Sequence, residues 1–427
     1  MKSYDVVVIG GGAAGLLAAG TAAHRGCSVL LLEKMERCGR KLSITGKGRG
    51  NLTNAKEWDE FSTHIYPKAD FFRPAFWGFS NKAVIDFFYS IGVDTVVERG
   101  DRVFPVCQKA PKVVEALVKW VKKRGVTVKT GANVTKLECA DNNIRSVFYV
   151  QNGNLCNTNA EVVILATGGC SYPATGSTGD GYLLAESLGH AISPLFPSLT
   201  ALMPKGYDER LQGVSLSNVK VSLLANGTTI QEEFGELSFT DLGIEGALGL
   251  RVSRNTIMAM REGKKVSLVI NLKPALSCEQ LEKRLSRECG EFKNEVFKHF
   301  LKRYLPANLI FPFLSAASVS PSTQLSSLSE SNKLKILHQL QYWDFSIEGY
   351  GGFERAVVTA GGVSQEEIRK KDMRSKRVNN LFFAGEIIDL DGDTGGYNLQ
   401  IAFSTGALAG EKAAEYLSQK RPKEVIE

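Results

Sequence analysis

Gly10, Gly12 and Gly15 stand in a Gly-x-Gly-x-x-Gly spacing, and Glu33 follows the third glycine by 18 residues (33 minus 15). That set can bind an adenine dinucleotide. Gly10 allows a tight turn, Gly12 lets backbone amides approach a pyrophosphate, and Gly15 permits close helix–strand packing. A helix starting here presents free N–H groups and a partial positive charge to the phosphates. Glu33 is placed to accept hydrogen bonds from the adenosine ribose. A second set lies between Ser43 and Asn54. There Lys47 and Arg49 suit either an anionic substrate group and a developing enolate-like oxygen, or cofactor phosphate and solvent. Tyr397 is a candidate proton donor or a packing residue, and Tyr172 a second residue of that kind.

The elements that must position these groups show in the sequence pattern. Val6 to Ile9 is an apolar run, an Ala-rich stretch follows the glycines, and Val29 to Leu32 is a second run ending at Glu33. The order predicts strand, glycine turn, helix and parallel strand. Residues 161–169 predict another buried strand entering a Thr-Gly-Gly turn, with a helix after Gly179. A third passage, Asn379 to Gly410, has a strand at Leu381 to Ala384, a Gly/Asp-rich loop and a helix beginning near Gly396 or Tyr397. The three passages are expected to converge at the carboxyl ends of one parallel sheet, where open α/β sheets bind ligands. A helix (Lys112 to Arg124), a short strand (Val126 to Lys129) and a meander (Asn133 to Asn157) precede the second passage.

Residues from about 196 to 350 differ in character. Alternating runs at Asn218 to Leu224 and Thr229 to Phe234 predict antiparallel strands, and Glu279 to Cys289 and Asn332 to Gln341 read as amphipathic helices. Pro194 and Pro197 mark one border; Gly349, Gly351 and Gly352 mark the other. We therefore expect a nucleotide domain in two parts, 1–195 and 351–427, interrupted by an inserted domain at 196–350.

Composition limits the remaining possibilities. At 427 residues the chain exceeds one comfortable core, and 43% hydrophobic with 23% charged is ordinary globular usage. Residues 6–23 are nearly free of polar side chains, but their glycines and the change of period from strand to helix speak against a membrane span. Eight cysteines form no CxxC pair and five histidines no cluster, so reduced cytoplasmic thiols and no metal are expected. The net charge of +7 is uneven. Six Lys/Arg lie between Lys34 and Gly50 against Glu36 alone, and eight between 99 and 124 against Asp101 and Glu115. A solvated face with a few phosphate contacts accounts for this, while a polyanionic substrate stays open.

No second strand–GxGxxG–helix unit appears, and no redox pair of cysteines, which sets aside the disulfide-reductase plan. Gly385-Glu386 and Asp391-Gly392, feeding a C-terminal helix, favour FAD. That helix would aim its N-terminus at the flavin pyrimidine edge, where negative charge accumulates on reduction.

The runs GGGAAG at 10, GRKLSITGKGRGNLTN at 39–54, DRVFPVCQKAPKVVEAL at 101–117, ATGGCSYPATGSTGDGY at 166–182 and FAGEIIDLDGDTGGYNLQIAFSTG at 383–406 resemble the BaiN-like (YhiN-like) flavoproteins, also labelled aminoacetone-oxidase-like FAD-binding enzymes. The resemblance covers nearly the whole chain. It implies an α/β protein whose Rossmann-like FAD-binding domain, with a glutathione-reductase-like sheet, is interrupted by an inserted β-barrel plus helical domain, and noncovalent FAD. It places cofactor contacts at Gly10, Gly12, Ala13, Ala14, Gly15, Glu33, Lys34, Arg40, Lys41, Asn51, Thr53, Val134, Ala166, Thr167, Gly168, Gly385, Glu386, Gly396, Asn398, Leu399 and Gln400. Two departures stand out: Gly50 where the family usually has cysteine, and Phe239-Thr240-Asp241 where it often reads Phe-Thr-His.

The expected activity is that of an FAD-dependent oxidoreductase reducing a conjugated double bond of a small molecule through flavin N5, with NAD(P)H as transient reductant. Reduction of uridine in ribosomal RNA is the alternative the basic stretches favour. An amine oxidase and a non-enzymatic FAD-binding sensor complete the set; no membrane partner is expected.

Overall fold

The computed structural model describes residues 3–420, which fall into two compact units. One runs to Pro197 and resumes at Val357; the other is Ser198–Ala356.

The first unit opens with β1 (Ser3–Ile9), α1 (Ala13–His24) and β2 (Val29–Leu32). Val6, Val7 and Val8 are all fully buried. Successive side chains point to opposite faces, so both faces of β1 are covered, as in a central parallel strand. Helix α1 buries Leu16, Leu17, Ala18, Ala19, Gly20 and Ala22, which cover its whole circumference. Next come β3 (Thr53–Asn54), β4 (Ile65–Tyr66), α2 (Ala69–Gly78), α3 (Asn81–Ser90), β5 (Thr95–Glu98) and β6 (Arg102–Pro105), with β6 the middle strand between β3 and β5. No long periodic signal marks residues 55–98, yet α2 and α3, preceded by a single helical turn at Trp58–Phe61, form there. They are short, and Pro74 interrupts the pattern of α2 while Phe71, Phe72, Phe76 and Phe88 enter the core.

Helix α4 (Ala110–Lys123) and β7 (Thr127–Lys129) lead into the meander β8 (Ala132–Ala140), β9 (Asn143–Gln151) and β10 (Asn154–Leu165). Strand β10 does two jobs. Its first half pairs antiparallel with β9, and from Asn159 to Leu165 it runs parallel to β1. Helix α5 (Asp180–Ser187) follows.

The second unit has its own core. Strands β11 (Leu202–Pro204), β12 (Ser215–Ala225), β13 (Thr228–Phe239), β14 (Ile244–Glu245), β15 (Val266–Asn271) and β16 (Trp343–Tyr350) close into a barrel in the order β11–β14–β13–β12–β15–β16. Val219, Val221 and Leu223 alternate inward along β12. Helices α6 (Gly246–Arg261), α7 (Cys278–Glu291), α8 (Ile310–Ala316) and α9 (Glu330–Gln341) complete this unit's longer elements.

On return, the chain forms β17 (Val358–Val363), β18 (Leu381–Phe383), β19 (Asp391–Gly392) and α10 (Tyr397–Lys420). The parallel order is β18–β10–β1–β2–β7. Leu165 lies opposite both Ile9 and Phe383, so the three strand-to-turn passages leave the sheet side by side, as expected. Helix α10 crosses α1 at backbone contact. A Cβ added to Gly406 would stand 2.4 Å from the Ala14 carbonyl oxygen, and one on Gly410 2.3 Å from that of Ala18. Among the described residues no helix is long and apolar enough to cross a membrane, and no metal-holding cluster occurs.

His190 is buried beside this sheet, its Nδ1 3.1 Å from the Ala185 carbonyl and its Nε2 2.7 Å from Ser375 Oγ. Burial pulls its pKa below the ordinary 6.5, opposed by the Ala185 carbonyl. A lowered folded pKa contributes stability that is present above the unfolded value and lost as pH falls through the folded one. The melting temperature is therefore expected to fall more steeply between pH 7 and 5 in the wild type than in His190→Gln. Parallel melting curves across that range would refute the assignment.

Candidate functional site

The carboxyl ends of β1, β10 and β18 open into a groove of about 1350 Å³, solvent at its mouth included. The turns there are pressed together. Gly10 has φ +104, and a Cβ on it would sit 2.4 Å from the Ala166 carbonyl oxygen; one on Gly15 would sit 1.8 Å from the Gly10 carbonyl oxygen. Gly12 is different. Its φ is −78, and an added Cβ meets nothing within 4 Å, because that side faces the groove. Helix α1 carries neither a side-chain cap nor an acidic residue in its first turn, which leaves its amides to an anion.

Glu33 also lines the groove. Its Oε2 accepts from the Gly11 amide at 2.7 Å and its Oε1 from the Met35 amide at 2.8 Å. Each oxygen keeps a lone pair for a ribose hydroxyl. Burial raises the Glu33 pKa above 4.5, opposed by those amides and by Lys34. Lys34 Nζ donates to Asp180 Oδ2 at 2.5 Å and to Thr178. Burial would push Asp180 up, but the hydrogen bonds it accepts from Lys34 and from Thr178 Oγ1 prevail and hold its carboxyl low.

Further along, Lys41 Nζ lies 2.8 and 3.0 Å from the two Glu386 carboxylate oxygens and 2.8 Å from Ser171 Oγ. Ser171 Oγ and the Thr359 amide also donate to Glu386 Oε1, at 2.8 and 2.9 Å. The Lys41–Glu386 pair is thus anchored to β17. Arg37 and Arg40 add two cations to the lining.

Of the residues read from the sequence, Gly10, Gly12, Ala13, Ala14, Glu33, Lys34, Arg40, Lys41, Val134, Ala166, Thr167, Gly168, Gly385, Glu386, Asn398 and Leu399 line this groove. Gly15, Asn51, Thr53, Gly396 and Gln400 lie outside the lining. Thr53 Oγ1 donates to Gln400 Oε1 at 2.5 Å, and Gly396 packs on the Thr53 backbone, where a Cβ would come within 2.3 Å. These three brace β3 against α10. Lys47 is exposed on a left-handed turn (φ 57). Arg49 pairs with Glu98, donates to Gln108 at 2.5 Å and lies 4.1 Å over the Phe104 ring, all within the β3–β6–β5 region. Tyr397 is buried, stacked on His64 and edge-on to Phe61. Tyr172 takes a left-handed backbone (φ 52) before a short turn.

Sequence reasoning did not single out Leu42, Thr45, Ser177, Asp180, Val358 or Leu390, which also line the groove. Asp180 sits in a Gly-rich run that held the signal; Val358 and Thr359 lie in an apolar strand that held none.

These residues fit a flavin dinucleotide. Thr167 lines the groove with its Oγ1 buried and without a protein partner. Gly12 leaves room, α1 offers uncapped amides, and the first turn of α10 supplies Asn398 and Leu399 to the lining.

The family model described as HI0933-like protein Rossmann domain matches residues 4–412. A 3-dehydro-bile acid delta(4,6)-reductase of Clostridium scindens is 31% identical over 410 residues, 96% of this chain and 98% of its own. A ribosomal RNA dihydrouridine synthase of Escherichia coli is 29% identical over 410 residues, 95% of this chain and 96% of its own. Among solved structures, a 3-ketosteroid delta1-dehydrogenase of Sterolibacterium denitrificans aligns with TM-score 0.55 at 14% identity, covering 97% of this chain and 100% of that one, a likeness of fold.

Proposed function

Since the chain belongs to the HI0933-like Rossmann family and is an FAD-dependent oxidoreductase, we propose that it reduces a conjugated carbon–carbon double bond with electrons from NAD(P)H. The 31% identity, over nearly the full length, to a protein named as a delta(4,6)-reductase carries this reading. FAD supplies the hydride chemistry. The chain's own part is to hold and tune. The α1 amides take the pyrophosphate, Glu33 the adenosine ribose, and the Lys41–Glu386 ion pair sets a fixed dipole in the groove. Exposed Lys47 is assigned to an anionic substrate group. Arg49 stabilises the neighbouring hairpin through Glu98 and Phe104.

Stopped-flow mixing with NADPH or NADH, then with an enone, tests the reading. Bleaching of the flavin faster than that of free FAD is expected, followed by reoxidation by the enone under anaerobic conditions. Bleaching no faster than free FAD would sink the nicotinamide half of the proposal.

A ribose hydroxyl donates more strongly to an ionised Glu33 than to the protonated acid. Affinity for FAD is therefore expected to weaken as pH is lowered toward the raised Glu33 pKa. Titration of apoprotein should show this in the wild type and not in Glu33→Gln; an unchanged slope in the variant would exclude Glu33 from the contact.

The second reading, uridine reduction in ribosomal RNA, is favoured by the exposed basic face of α4 (Lys112, Lys119, Lys122, Lys123) and by the Escherichia coli relative's name. It requires RNA binding that weakens steeply with salt. Absent or salt-independent binding removes it.

A further inference from the structure

Reduction of a conjugated double bond consumes a hydride and a proton. Resting on that reading of the reaction, we propose that His64 delivers the proton from Nε2 and that Asp393 is its positioning residue. His64 Nδ1 lies 2.8 Å from Asp393 Oδ2. The carboxylate is the more enclosed partner, its side chain 10% exposed against 25% for the imidazole. A carboxylate that accepts from Nδ1–H fixes the ring and leaves Nε2 as the atom available to a substrate. Stacking on the Tyr397 ring, with centroids 4.5 Å apart and planes 26° apart, sets the plane of the imidazole. The titratable groups around the pair are Tyr66, whose Oη stands 3.5 Å from the same Asp393 oxygen, Tyr397 from α10, and Asp391 in β19.

The pair is tied to the cofactor groove by one side chain. Asn398 lines the groove, donates Nδ2 to the Gly392 and Asp393 carbonyls at 2.6 and 3.2 Å, and accepts from the Gly392 amide at 2.9 Å. Gly392 in turn pairs with Ile65, the residue after His64. Both halves of the pair therefore hang on the first turn of α10, whose Asn398 and Leu399 line the groove.

In the step itself, the hydride forms one C–H bond as the π bond breaks, and the electron pair moves onto the carbon next to the carbonyl as an enolate. The Nε2–H bond of the His64 imidazolium then breaks and its proton forms the second C–H bond. The imidazole regains a proton from water. The alkene is reduced, and the reduced flavin is the electron donor.

Two measurements test this. Diethyl pyrocarbonate carbethoxylates accessible, unprotonated imidazole nitrogen. Peptide mapping of the FAD-loaded protein should show His64 modified and buried His190 spared, with saturating 4-androstene-3,17-dione, a conjugated enone, slowing modification of His64 about tenfold or more. Modification of His64 unaffected by the enone overturns its place at the substrate. Separately, anaerobic reoxidation of dithionite-reduced protein by the same enone should slow by roughly 10²–10³-fold in His64→Gln, within the usual range for a general acid, with FAD content retained. In Asp393→Asn that rate should fall about tenfold or more, because the ring is no longer oriented, while the enone concentration giving half-maximal rate and the FAD content keep their wild-type values. That split would not follow from a merely structural role. A wild-type rate in His64→Gln with an active wild type overturns the proton assignment alone. A wild type that never reduces the enone overturns the enone reading and this assignment with it.

Discussion

Valine at position 12 is expected to give a folded, colourless protein. Gly12 has an extended backbone that valine adopts readily, and a Cβ there meets no protein atom within 4 Å. The added methyl groups enter only the space that the dinucleotide needs. Wedging them against a bound ligand costs up to about 3 kcal/mol, roughly a hundredfold in affinity. Melting of the apoprotein should stay within about 2 °C of wild type, as for a substitution that disturbs no protein contact. Gly15→Ala is the contrasting variant. Its Cβ would stand 1.8 Å from the Gly10 carbonyl oxygen, so it should lose FAD and stability together. Absorbance near 450 nm per chain and a thermal melt separate the two outcomes. One FAD per chain in Gly12→Val would mean that the dinucleotide does not pass this turn.

The second large effect is expected far from any ligand atom. Gly406→Ala places a Cβ 2.4 Å from the Ala14 carbonyl oxygen, which forces α10 away from α1. Overpacking of this kind costs about 2 kcal/mol, or roughly 5 °C in Tm for a unit of this size. Both helices border the groove, so FAD affinity should drop as well, by about tenfold or more. Ser418→Ala, exposed near the end of the same helix, is the control and should change neither property. A Tm for Gly406→Ala equal to that of the control would contradict the close crossing.

Much of this site was legible because its signals are local. Gly10, Gly12 and Gly15 fall within one stretch of six residues, with Gly15 set against the Gly10 carbonyl, and apolar runs such as Val6–Ile9 announce strands buried on both faces. The adjacency of Ile9, Leu165 and Phe383 followed from a general rule for parallel sheets. What stayed hidden depends on partners distant in sequence. His64 meets Asp393 across 329 positions and Lys41 meets Glu386 across 345, and neither histidine nor lysine carries a local pattern that names its partner. Thr359 anchors Glu386 through its amide, a contact any residue type can make, so no residue identity foretold it. The helices α2 and α3 were missed because Pro74 interrupts one and the adjacent aromatics Phe71-Phe72 and Phe87-Phe88 read as strand-forming runs.

The crossing of α1 and α10 also has a consequence in time. A ribosome emits the chain from its amino end, so Gly10–Gly15 and Ala166–Gly168 appear early, whereas Gly385, Glu386 and Asn398 appear only after the entire barrel unit has been made. Contacts separated by nearly 400 positions close late, after loop entropy has been met. Until then α1 lacks the backbone it packs against, and the nucleotide turn has only part of its walls. Cofactor capture in this protein is therefore an event of the finished chain, and a nascent chain ending before Val357 has the fingerprint but not the grip.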